Sequence, residues 1–421
     1  MTRFEDNYTD IYSIQGKVDA TTKDGKDVVL FDVSFDNSDE QAVEKIQKDL
    51  LAMGLKFKLK SPPVVDWFPM SLEDLDQIGT HQRDLDMLDY DEMETKKSGA
   101  KKDLKKEEFK KKMKLHKLKD PLPDQEWELQ ETKLWVKAYD QVNSRRMKYS
   151  TRSFNRNFEM LKRENMLIPN SVPKLESLNK FLIDKSNWRL KPIGEGITHR
   201  EFLNTLAFRT ICINMNMRPV ETPEVFSQTD VLHQVLSHVP MLLDPRLCEL
   251  LQKLGQLSLG ATDNQIVELF TIYWFTVELG LYKEDGEYRF LGAAFTGSAD
   301  NLDELDKITD KSGERVRKLD LVQGTLPYAE FKISNVQPFY FYMNGYEDFN
   351  KQIDSYMESF YKPFNLRYNF GNSTYEVDRA VKTVLPGAKD LSTRPAPYLG
   401  SLDAVKASAK AVGMGGIDMS I

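Results

Sequence analysis

The sequence predicts a mainly helical α+β fold, with one large helical domain preceded by a small α+β module. Three observations support this prediction. The chain has 421 residues, of which 40% are hydrophobic and 29% charged, which suffices for one large domain or two to three smaller ones. Apolar residues recur at helical spacing through most of the chain beyond residue 120. Before residue 67, alternating strand patterns flank a single helical pattern.

The N-terminal module is predicted to contain a strand, a helix and a second strand. Residues 1–26 are polar and typical of turns, and the first strand is expected over Asp27–Phe35, where apolar and polar residues alternate. A helix follows, with Ser38 and Gln41 as a capping box, and alternation returns at Leu55–Leu59. This order of elements is typical of a small α+β module.

A charged segment separates this module from the large domain. Residues 73–94 are strongly acidic and residues 96–119 strongly basic, with apolar residues too sparse to build a core. We expect an exposed helix or a partly disordered linker there, and an electrostatic docking segment is the alternative. The chain is therefore predicted to have four parts. They are a module (residues 1–66), a charged linker (67–120), a large domain ending in a hairpin (121–379) and a tail that is a candidate oligomerisation segment (380–421).

Helices dominate the predicted large domain. The helical patterns cover Thr132–Val142, Ser153–Lys162, Lys174–Ile183, a stretch from the capping box Thr198–Glu201 to Ile211, a stretch that starts near Thr229, and a stretch from the capping box Thr262–Gln265 to about Leu281. The glycine-rich stretch Gly292–Ser298 is expected to be irregular or a strand. A hairpin is predicted over Phe364–Tyr368 and Tyr375–Val377.

Composition excludes several classes of function. A net charge of −7 argues against generic nucleic-acid binding, and two cysteines are too few for a disulfide framework or a cysteine-built zinc site. The longest apolar stretch, Leu269–Tyr282, has about fourteen residues, against the roughly twenty of a membrane-spanning helix. The N-terminus lacks a basic segment followed by an apolar one, so we expect no secretory signal and a cytoplasmic location.

Two of the five histidines, His233 and His238, lie five positions apart. On an unbroken α-helix, residues at this spacing are rotated by about 140° and cannot share one metal ion. Pro240 disfavours helical geometry at Val239, so the helix is predicted to end near residues 236–237 and to let His238 turn back towards the axis. Two imidazoles could then converge on one point.

Glu278 is the candidate third ligand. Apolar residues surround it in the stretch 272–281, and a buried carboxylate is costly unless it is paired or binds a cation. Two histidines and one carboxylate leave about three positions of the ion open, as in the non-haem Fe(II) oxygenases. The alternative is that both histidines are hydrogen-bonded core residues and that Glu278 pairs with an arginine.

Two other metal patterns fit the sequence less well. The zinc-protease motif needs histidines four apart with a glutamate beside the first. His199 and Glu201 match the start of the 2-oxoglutarate oxygenase triad, with His238 downstream. That fold needs many short strands around the site, whereas this region is predicted to be helical.

From about Ile168 to Arg367, with weaker traces back to Trp67, the chain resembles the catalytic domain of the pterin-dependent aromatic amino acid hydroxylases. Matching motifs follow the family's order: Leu190-Lys-Pro-Ile, Arg200-Glu-Phe-Leu, Leu206-Ala-Phe-Arg209, Asp230-x-x-His233, His238-Val-Pro240, Asp244-Pro245, Gln256-Leu-Ser-Leu-Gly-Ala261 and Ile272-Tyr-Trp-Phe-Thr-Val-Glu278. The resemblance implies an Fe(II) monooxygenase that uses tetrahydrobiopterin, or a related tetrahydropterin, and O2 to hydroxylate the ring of an aromatic amino acid. It also implies that the N-terminal module is part of an ACT-like regulatory domain.

The resemblance assigns roles to individual residues. His233, His238 and Glu278 match the iron ligands, and Phe202 matches the phenylalanine that stacks on the pterin ring. Arg218 matches the arginine that pairs with the substrate carboxylate, a role suited to a bidentate guanidinium. The other candidate pterin neighbours are Ile197, Leu203, Gln234 and Tyr273. Trp274 matches an aromatic wall of the substrate pocket, and Ser298 is the candidate replacement for a hydroxyl that helps to hold the substrate.

The chain departs from the family pattern at three places. Gln234 stands where the family has a glutamate beside the pterin. Phe226-Ser-Gln-Thr-Asp230 replaces Thr-Pro-Glu-Pro-Asp, so a threonine that helps to hold the substrate carboxylate is absent. Gly297 replaces a serine of similar role, with Ser298 beside it. A non-catalytic binding or regulatory protein with the hydroxylase fold is therefore the alternative to an enzyme.

Phenylalanine, converted to tyrosine, is the substrate that we expect. Ile333 and Gln337-Pro338 before Phe339-Tyr-Phe are most similar to the phenylalanine member of the family, and hydroxylation of tyrosine or tryptophan is the alternative. The expected partners are the amino acid and O2, without nucleic acid or membrane. A homodimer or homotetramer is the expected assembly, although the tail shows no sustained leucine repeat.

Overall fold

The structure is a computed structural model. It describes residues 11–21, 27–35, 48, 63–78, 112–113, 115–193, 197–218, 230–297, 302, 304–309, 315–321, 326–329, 337–360, 362–379, 381–384 and 391–392. The chain divides into two units, one formed by residues 1–70 and 362–421 and the other by residues 71–361. The boundaries predicted at residues 66, 120 and 379 remain predictions.

The described strands and helices follow each other along the chain. The strands are β1 (Ile11–Thr21), β2 (Asp27–Phe35), β3 (Val64–Asp66), β4 (Arg189–Ile193), β5 (Thr210–Asn214), β6 (Leu281–Glu284), β7 (Glu287–Phe290), β8 (Val316–Lys318), β9 (Tyr340–Met343), β10 (Leu366–Asn369), β11 (Thr374–Val377), β12 (Lys382–Val384) and β13 (Leu391–Ser392). The helices are α1 (Leu129–Tyr149), α2 (Arg152–Arg163), α3 (Leu175–Ser186), α4 (His199–Ala207), α5 (Val231–His233, Gln234–His238 and Val239–Met241 in succession), α6 (Pro245–Ser258), α7 (Asp263–Tyr273 followed by Trp274–Glu278), α8 (Ala293–Thr296), α9 (Leu305–Ile308) and α10 (Tyr346–Ser359).

The first unit is built from short sheets. Strands β1 and β2 pair antiparallel, β3 pairs parallel with β12, β12 pairs antiparallel with β13, and β10 and β11 form a hairpin. The Phe68 and Phe364 rings stack at a centroid distance of 5.5 Å. The backbone N–H of Tyr375 donates to the carbonyl oxygen of Met70 at 2.7 Å. Segments distant in sequence are thus held together by backbone pairing and one aromatic stack.

The second unit has a mainly helical core. Its largest fully buried side chains are Trp135, Trp188, Tyr340, Phe158, Lys191, Phe208, Phe275, Phe290, Phe295, Phe349 and Leu75. Strands β4 and β5 pair parallel, and a second sheet has the strand order β7-β6-β9-β8. Burial of so much aromatic and aliphatic surface is the main source of stability that the structure shows for this unit.

Helices α4 and α6 approach each other very closely at Gly255. A Cβ atom on Gly255 would lie 2.0 Å from the backbone nitrogen of Ala207 and 2.5 Å from the carbonyl carbon of Leu206. Such a distance is far below van der Waals contact, so only glycine lets the two backbones pack here. This contact fixes α4, which carries Phe202, against the helical core.

Most of the predicted elements are confirmed. The three helical patterns between residues 132 and 183 correspond to α1, α2 and α3, and the predicted hairpin corresponds to β10 and β11. Two of the three predicted capping boxes lie among the described residues, and both form: Thr198 Oγ1 accepts from the N–H of Glu201 at 3.2 Å, and Thr262 Oγ1 from the N–H of Gln265 at 3.4 Å. Strand β2 begins and ends where the alternating pattern predicts.

Several predicted elements differ from the structure. Residues 11–21 form strand β1 and not the predicted turns. The sequence hides this strand, because register shifts in its pairing with β2 interrupt the alternating pattern by which strands are recognised. Helix α4 ends at Ala207 instead of Ile211, because Arg209 has a φ of 50° and the β-branched residues after it favour strand β5. The glycine-rich stretch contains helix α8 rather than only irregular or strand structure.

The segment predicted as a charged linker is folded at its start. Trp67, Phe68, Leu75 and Ile78 are buried, with at most 7% of each residue exposed. Residues 79–111 of that segment lie outside the described residues, as do nearly all of the predicted helix after Ser38 and the whole predicted strand Leu55–Leu59. The ACT-like nature of the N-terminal module therefore stays a prediction. Among the described residues, no helix is long and apolar enough to cross a bilayer.

Candidate metal centre

His233 and His238 converge because helix α5 contains a π-helical turn. Asp230 caps the start of α5, its Oδ1 accepting from the backbone N–H of His233 at 3.0 Å. Over Gln234–His238 the helix is a π-helix, in which a backbone N–H donates to the carbonyl group five residues earlier instead of four. The N–H of Val239, for example, donates to the carbonyl oxygen of Gln234. A π turn holds more residues than the 3.6 of an α-helical turn, so residues five positions apart lie much closer to one face than they would on an α-helix.

The predicted end of this helix near residues 236–237 is therefore wrong. Helix α5 continues through Pro240 to Met241. Pro240 lacks a backbone N–H, and it comes directly after the π turn, where the backbone hydrogen bonds shift by one residue. The helix therefore accommodates the proline at this position. The predicted convergence of the imidazoles holds, but a widened helix produces it rather than a broken one.

Glu278 lies at the end of a second π-helical turn. Helix α7 widens over Trp274–Glu278, and the backbone N–H of Leu279 donates to the carbonyl of Trp274 at 2.9 Å. This turn brings Tyr273 and Glu278, again five residues apart, onto one face. The Tyr273 hydroxyl donates to Glu278 Oε1 at 2.6 Å and so fixes the orientation of the carboxylate.

The three candidate ligands meet at one buried point. His233 Nε2 and His238 Nε2 are 3.0 Å apart, and the Glu278 carboxylate oxygens lie 3.4 Å from His233 Nε2 and 3.1 Å from His238 Nε2. Ligand bonds of about 2.1 Å place neighbouring donors of an octahedral ion about 3.0 Å apart, so the three side chains fit one such ion. Among the described residues, this trio is the only His, Cys, Asp and Glu cluster with ligand atoms within 4.8 Å of one another.

The electrostatics of the cluster suit a divalent cation. Burial would raise the pKa of Glu278, but the nearby His238 and His233 outweigh it and hold the pKa of this carboxyl well below its usual value. Burial lowers the pKa of His238, with Glu278 opposing the shift, so its imidazole favours the neutral form that binds metals. Burial and the adjacent carboxylate raise the pKa of Tyr273 well above its usual value and keep it a hydrogen-bond donor.

An aromatic group extends from the ligand cluster. The Phe202 ring meets the Tyr273 ring edge-on at a centroid distance of 5.0 Å. Phe270 lies 5.8 Å from Tyr273 and 6.4 Å from Trp274, and the His199 imidazole stacks on Phe270 at 3.6 Å. The structure therefore brings the predicted pterin residue Phe202 and the predicted substrate residue Trp274 into the surroundings of Glu278.

The other predicted pterin neighbours differ in their surroundings. Leu203 is fully buried in the core, Ile197 is half-buried, and Gln234 is buried at the start of the first π turn. Gln234 Oε1 has no hydrogen-bond partner among the described residues. A buried acceptor without a partner is costly, so Gln234 Oε1 is a candidate contact for a bound group that donates an N–H or O–H.

Arg218, the predicted carboxylate-binding residue, forms a buried ion pair with Asp230. Its Nε and Nη2 donate to the two carboxylate oxygens at 2.8 and 2.7 Å, and its backbone N–H donates to Oδ2 at 2.9 Å. The guanidinium is thereby held in one orientation. Ser298 and the altered segment that begins at Phe226 lie outside the described residues, except for Asp230 itself.

Sequence reasoning misses three features of this site. Asp230 both caps α5 and holds Arg218, and its place directly before an apolar helical stretch is the signal for the first role only. Ser237 donates a hydrogen bond to the carbonyl of His233, and no sequence signal marks this. Burial lowers the pKa of His199, which lies at the first position of α4, to about 4, so it is a neutral side chain in the aromatic group.

Comparison with known proteins gives the family. Residues 66–395 match the family model for biopterin-dependent aromatic amino acid hydroxylases. Phenylalanine-4-hydroxylase of Dictyostelium discoideum is 28% identical over 374 residues, which cover 87% of this chain and 82% of that protein. Tyrosine 3-monooxygenase of Drosophila melanogaster is 30% identical over 262 residues, which cover 62% of this chain and 44% of that protein.

Solved structures agree on the fold. The phenylalanine hydroxylase of Chromobacterium violaceum with bound iron(III) and oxidised 7,8-dihydrobiopterin has a TM-score of 0.53 at 20% identity, covering 62% of this chain and 92% of that chain. The phenylalanine hydroxylase of Legionella pneumophila has a TM-score of 0.51 at 22% identity, covering 57% of this chain and 93% of that chain. The predicted catalytic fold and family resemblance are confirmed, and the chain belongs to the biopterin-dependent aromatic amino acid hydroxylases.

Proposed function

We propose that this protein is an Fe(II)- and tetrahydrobiopterin-dependent monooxygenase that hydroxylates phenylalanine to tyrosine with O2. The observation that carries the proposal is the buried trio His233, His238 and Glu278, whose donor atoms are spaced for one octahedral ion. Membership of a biopterin-dependent family supplies the pterin. In the overall reaction, one oxygen atom goes to the ring and the other to the pterin, which provides two electrons.

The trio accounts for how iron is held. Two neutral imidazoles and one carboxylate carry a single negative charge, which leaves a bound Fe(II) with a net positive charge and about three open positions. Bound iron supplies the activation of dioxygen. The Tyr273 hydroxyl keeps the Glu278 carboxylate in one orientation and stays protonated because burial raises its pKa.

Phe202 and Gln234 are the residues that we assign to the pterin. Phe202 is half-buried on α4 and offers an aromatic face near Tyr273, suited to stacking on a flat heterocycle. Gln234 offers a buried carbonyl oxygen as an acceptor for a pterin N–H. Leu203, Ile197 and Tyr273 complete the assigned surroundings of the cofactor.

Arg218 is the residue that we assign to the carboxylate of the substrate. Asp230 holds its guanidinium in a fixed orientation, which favours a directional contact with a carboxylate. Trp274 forms an aromatic wall, and Ser298 is the proposed stand-in for the missing hydroxyl. Tyrosine is the alternative substrate, because tyrosine 3-monooxygenases match this chain at 28–30% identity, similar to the 28% of the phenylalanine hydroxylase from Dictyostelium.

The test is product formation by the purified protein with Fe(II), a tetrahydrobiopterin and phenylalanine, tyrosine and tryptophan offered together. We expect tyrosine to form from phenylalanine. The variant His233→Ala should form less than about 1% of that product, because two ligands cannot hold the ion in place. The matched control is His116→Gln, which changes a buried histidine outside the site, whose Nε2 bonds the carbonyl oxygens of Asp120 and Pro121.

The outcomes separate the alternatives. Dihydroxyphenylalanine or hydroxytryptophan as the main product would contradict the proposed substrate but keep the enzyme class. Iron-free protein that binds an amino acid without turnover would instead identify a binding protein with the hydroxylase fold. Full activity of His233→Ala would overturn the assigned ligands.

A further inference from the structure

Each π turn of the site carries a buried hydroxyl group that bonds the backbone of its own helix. The Ser237 hydroxyl donates to the carbonyl oxygen of His233. The Thr276 hydroxyl donates to the carbonyl oxygen of Ile272 at 2.6 Å. Both side chains are fully buried, and both bonds reach back four residues along the helix.

Each hydroxyl bonds the carbonyl oxygen four residues before it, and backbone hydrogen bonds differ between an α-helix and a π turn at that distance. In an α-helix, a carbonyl accepts from the backbone N–H four residues later, whereas in a π turn it accepts from the fifth. The position four residues after His233 and after Ile272 is held by a hydroxyl residue in each case. Each side-chain O–H therefore adds a hydrogen bond to a carbonyl directly before or near the start of the π turn, in addition to the backbone bonds of the widened turn.

Ser237 is confined from its other side by Gly297. A Cβ atom on Gly297 would lie 2.9 Å from Ser237 Oγ and 3.1 Å from Ser237 Cβ. The absence of a side chain at Gly297 thus leaves the volume that the serine hydroxyl occupies. Ser237 lies between His233 and His238 in sequence, so fixing it fixes the turn that aims both imidazoles.

The second π turn is confined in the same way. A Cβ atom on Gly280 would lie 2.1 Å from the carbonyl oxygen of Thr276, and one on Gly292 would lie 2.2 Å from the carbonyl oxygen of Glu278. The chain between Gly280 and Gly297 therefore packs backbone to backbone against the turn that carries Glu278, and against Ser237 of the other turn.

We propose that Ser237 and Thr276 are positioning residues whose hydroxyl groups hold the two π turns in register and thereby set the affinity of the site for Fe(II). This inference rests on the proposed iron site. Neither hydroxyl is assigned as an iron ligand. Each acts through the carbonyl that it bonds, by keeping the ligand-bearing turn in the geometry at which three donor atoms meet.

The experiment measures Fe(II) affinity of the full-length protein by competition with a chromogenic ferrous chelator. Ser237→Ala and Thr276→Val remove the hydroxyl groups, and each should weaken Fe(II) binding about 10- to 100-fold, the usual effect of removing a group that orients a metal ligand. The melting temperature of the iron-free protein, followed by circular dichroism, reports folding separately from binding.

Two controls match these variants in chemistry. Ser186 donates to the carbonyl of Leu182 at 3.0 Å, and Thr271 donates to the carbonyl of Val267 at 2.8 Å, both over four residues in regular α-helix. Ser186→Ala and Thr271→Val therefore remove the same kind of bond outside a π turn. Both should bind Fe(II) within about twofold of the wild type if the π turns are what matters.

The outcomes are decisive in either direction. If the wild type binds no Fe(II), the proposed function fails. If the wild type binds Fe(II) and Ser237→Ala and Thr276→Val bind it equally well, only the present inference fails. Equal weakening in the controls would also overturn it. Should Ser237→Ala not fold, the isosteric pair Ser237→Thr and Ser237→Val decides, because tighter Fe(II) binding by the threonine variant supports the inference and equal binding contradicts it.

Gly297→Ala gives an independent measurement. Its Cβ would displace the Ser237 hydroxyl, so Fe(II) affinity should fall as it does in Ser237→Ala. In the background of Ser237→Gly, the same substitution should cause no further loss, because the colliding atoms are gone. A full additional loss in that background would show that Gly297 acts without Ser237 and would contradict the proposed pairing.

Discussion

Asp230 links helix α5 to Arg218, the residue that we assign to the substrate carboxylate. Its carboxylate caps helix α5 through the N–H of His233 and holds Arg218 by two side-chain hydrogen bonds and one backbone hydrogen bond. Both partners of the ion pair are buried, Arg218 with 9% and Asp230 with 4% of the residue exposed. Removing one charge would take a close ionic partner away from the other, which stays buried.

Asp230→Asn should lower the free energy of unfolding by about 3–5 kcal/mol, because the buried charge of Arg218 would lose the carboxylate that accepts its two side-chain hydrogen bonds. Asparagine is a good helix cap, so this loss would reflect the ion pair and not the cap. Asp285→Asn, which breaks an exposed ion pair with Arg152, is the control and should cost less than about 1 kcal/mol. Urea unfolding measures both, and equal losses would contradict the argument.

His199 predicts a pH dependence of stability. Burial lowers its pKa from 6.5 to about 4, so between these pH values the unfolded chain binds more protons than the folded one. The contribution of His199 is present above pH 6.5 and is lost as the pH falls towards 4. His199→Phe keeps an aromatic ring on Phe270 but removes the titrating group. Between pH 7 and pH 5 the free energy of unfolding should fall for both proteins, and the fall should be about 1–2 kcal/mol smaller for the variant than for the wild type. Identical losses in urea unfolding at the two pH values would refute this.

At the level of residues, the sequence predicts which side chains meet but not all that holds them. Chemistry and spacing make His233, His238 and Glu278 candidate ligands, the family resemblance assigns them to iron, and the structure brings them together. Ser237 and the double role of Asp230 escape prediction, because hydrogen bonds to a backbone carbonyl or to a residue twelve positions away leave no periodic pattern.

At the level of elements, the two π turns explain why a spacing of five residues recurs. It separates His233 from His238 and Tyr273 from Glu278, and in both cases the helix widens between the two residues. The preference of residues before proline for extended geometry predicts a break before Pro240. That prediction fails because it assumes α-helical hydrogen bonds throughout and does not foresee a π turn. Capping boxes predict helix starts well, because three adjacent residues decide them locally.

The contact between α4 and α6 gives a prediction for an element. Gly255→Ala should lower the free energy of unfolding by about 3 kcal/mol or more, because its Cβ would collide with the backbone of Ala207 and neither helix can shift without disturbing the core. Gly345→Ala is the matched control. A Cβ on Gly345 meets no atom within 4 Å, so the variant should cost at most about 1 kcal/mol, the effect of alanine at the N-cap of α10. A similar loss in both variants would contradict this view of the helix contact.

At the level of the whole molecule, the residues of the site that the structure describes belong to one unit. The candidate ligands and the aromatic group lie between residues 197 and 278, within the unit formed by residues 71–361. The cytoplasmic location, the assembly into dimers or tetramers and the regulatory nature of the N-terminal module stay predictions.

Removing residues 1–62 should therefore leave the metal site intact. The shortened chain keeps β3 and its partner β12, as well as every described residue near the ligands. We expect about one Fe(II) per chain in both the full-length and the shortened protein, measured by metal analysis after loading and desalting. Loss of iron from a shortened protein whose circular dichroism is unchanged would show that the N-terminal residues take part in the site.

The proposed activity is the transfer of one atom of dioxygen to the ring of an aromatic amino acid. Mass spectrometry of the product formed under isotopically labelled dioxygen, with Fe(II), tetrahydrobiopterin and phenylalanine, tests it most directly. We expect tyrosine that carries one labelled oxygen atom, and no product when the pterin is omitted. Unlabelled tyrosine, or no hydroxylated amino acid from a protein that has bound iron, would contradict it.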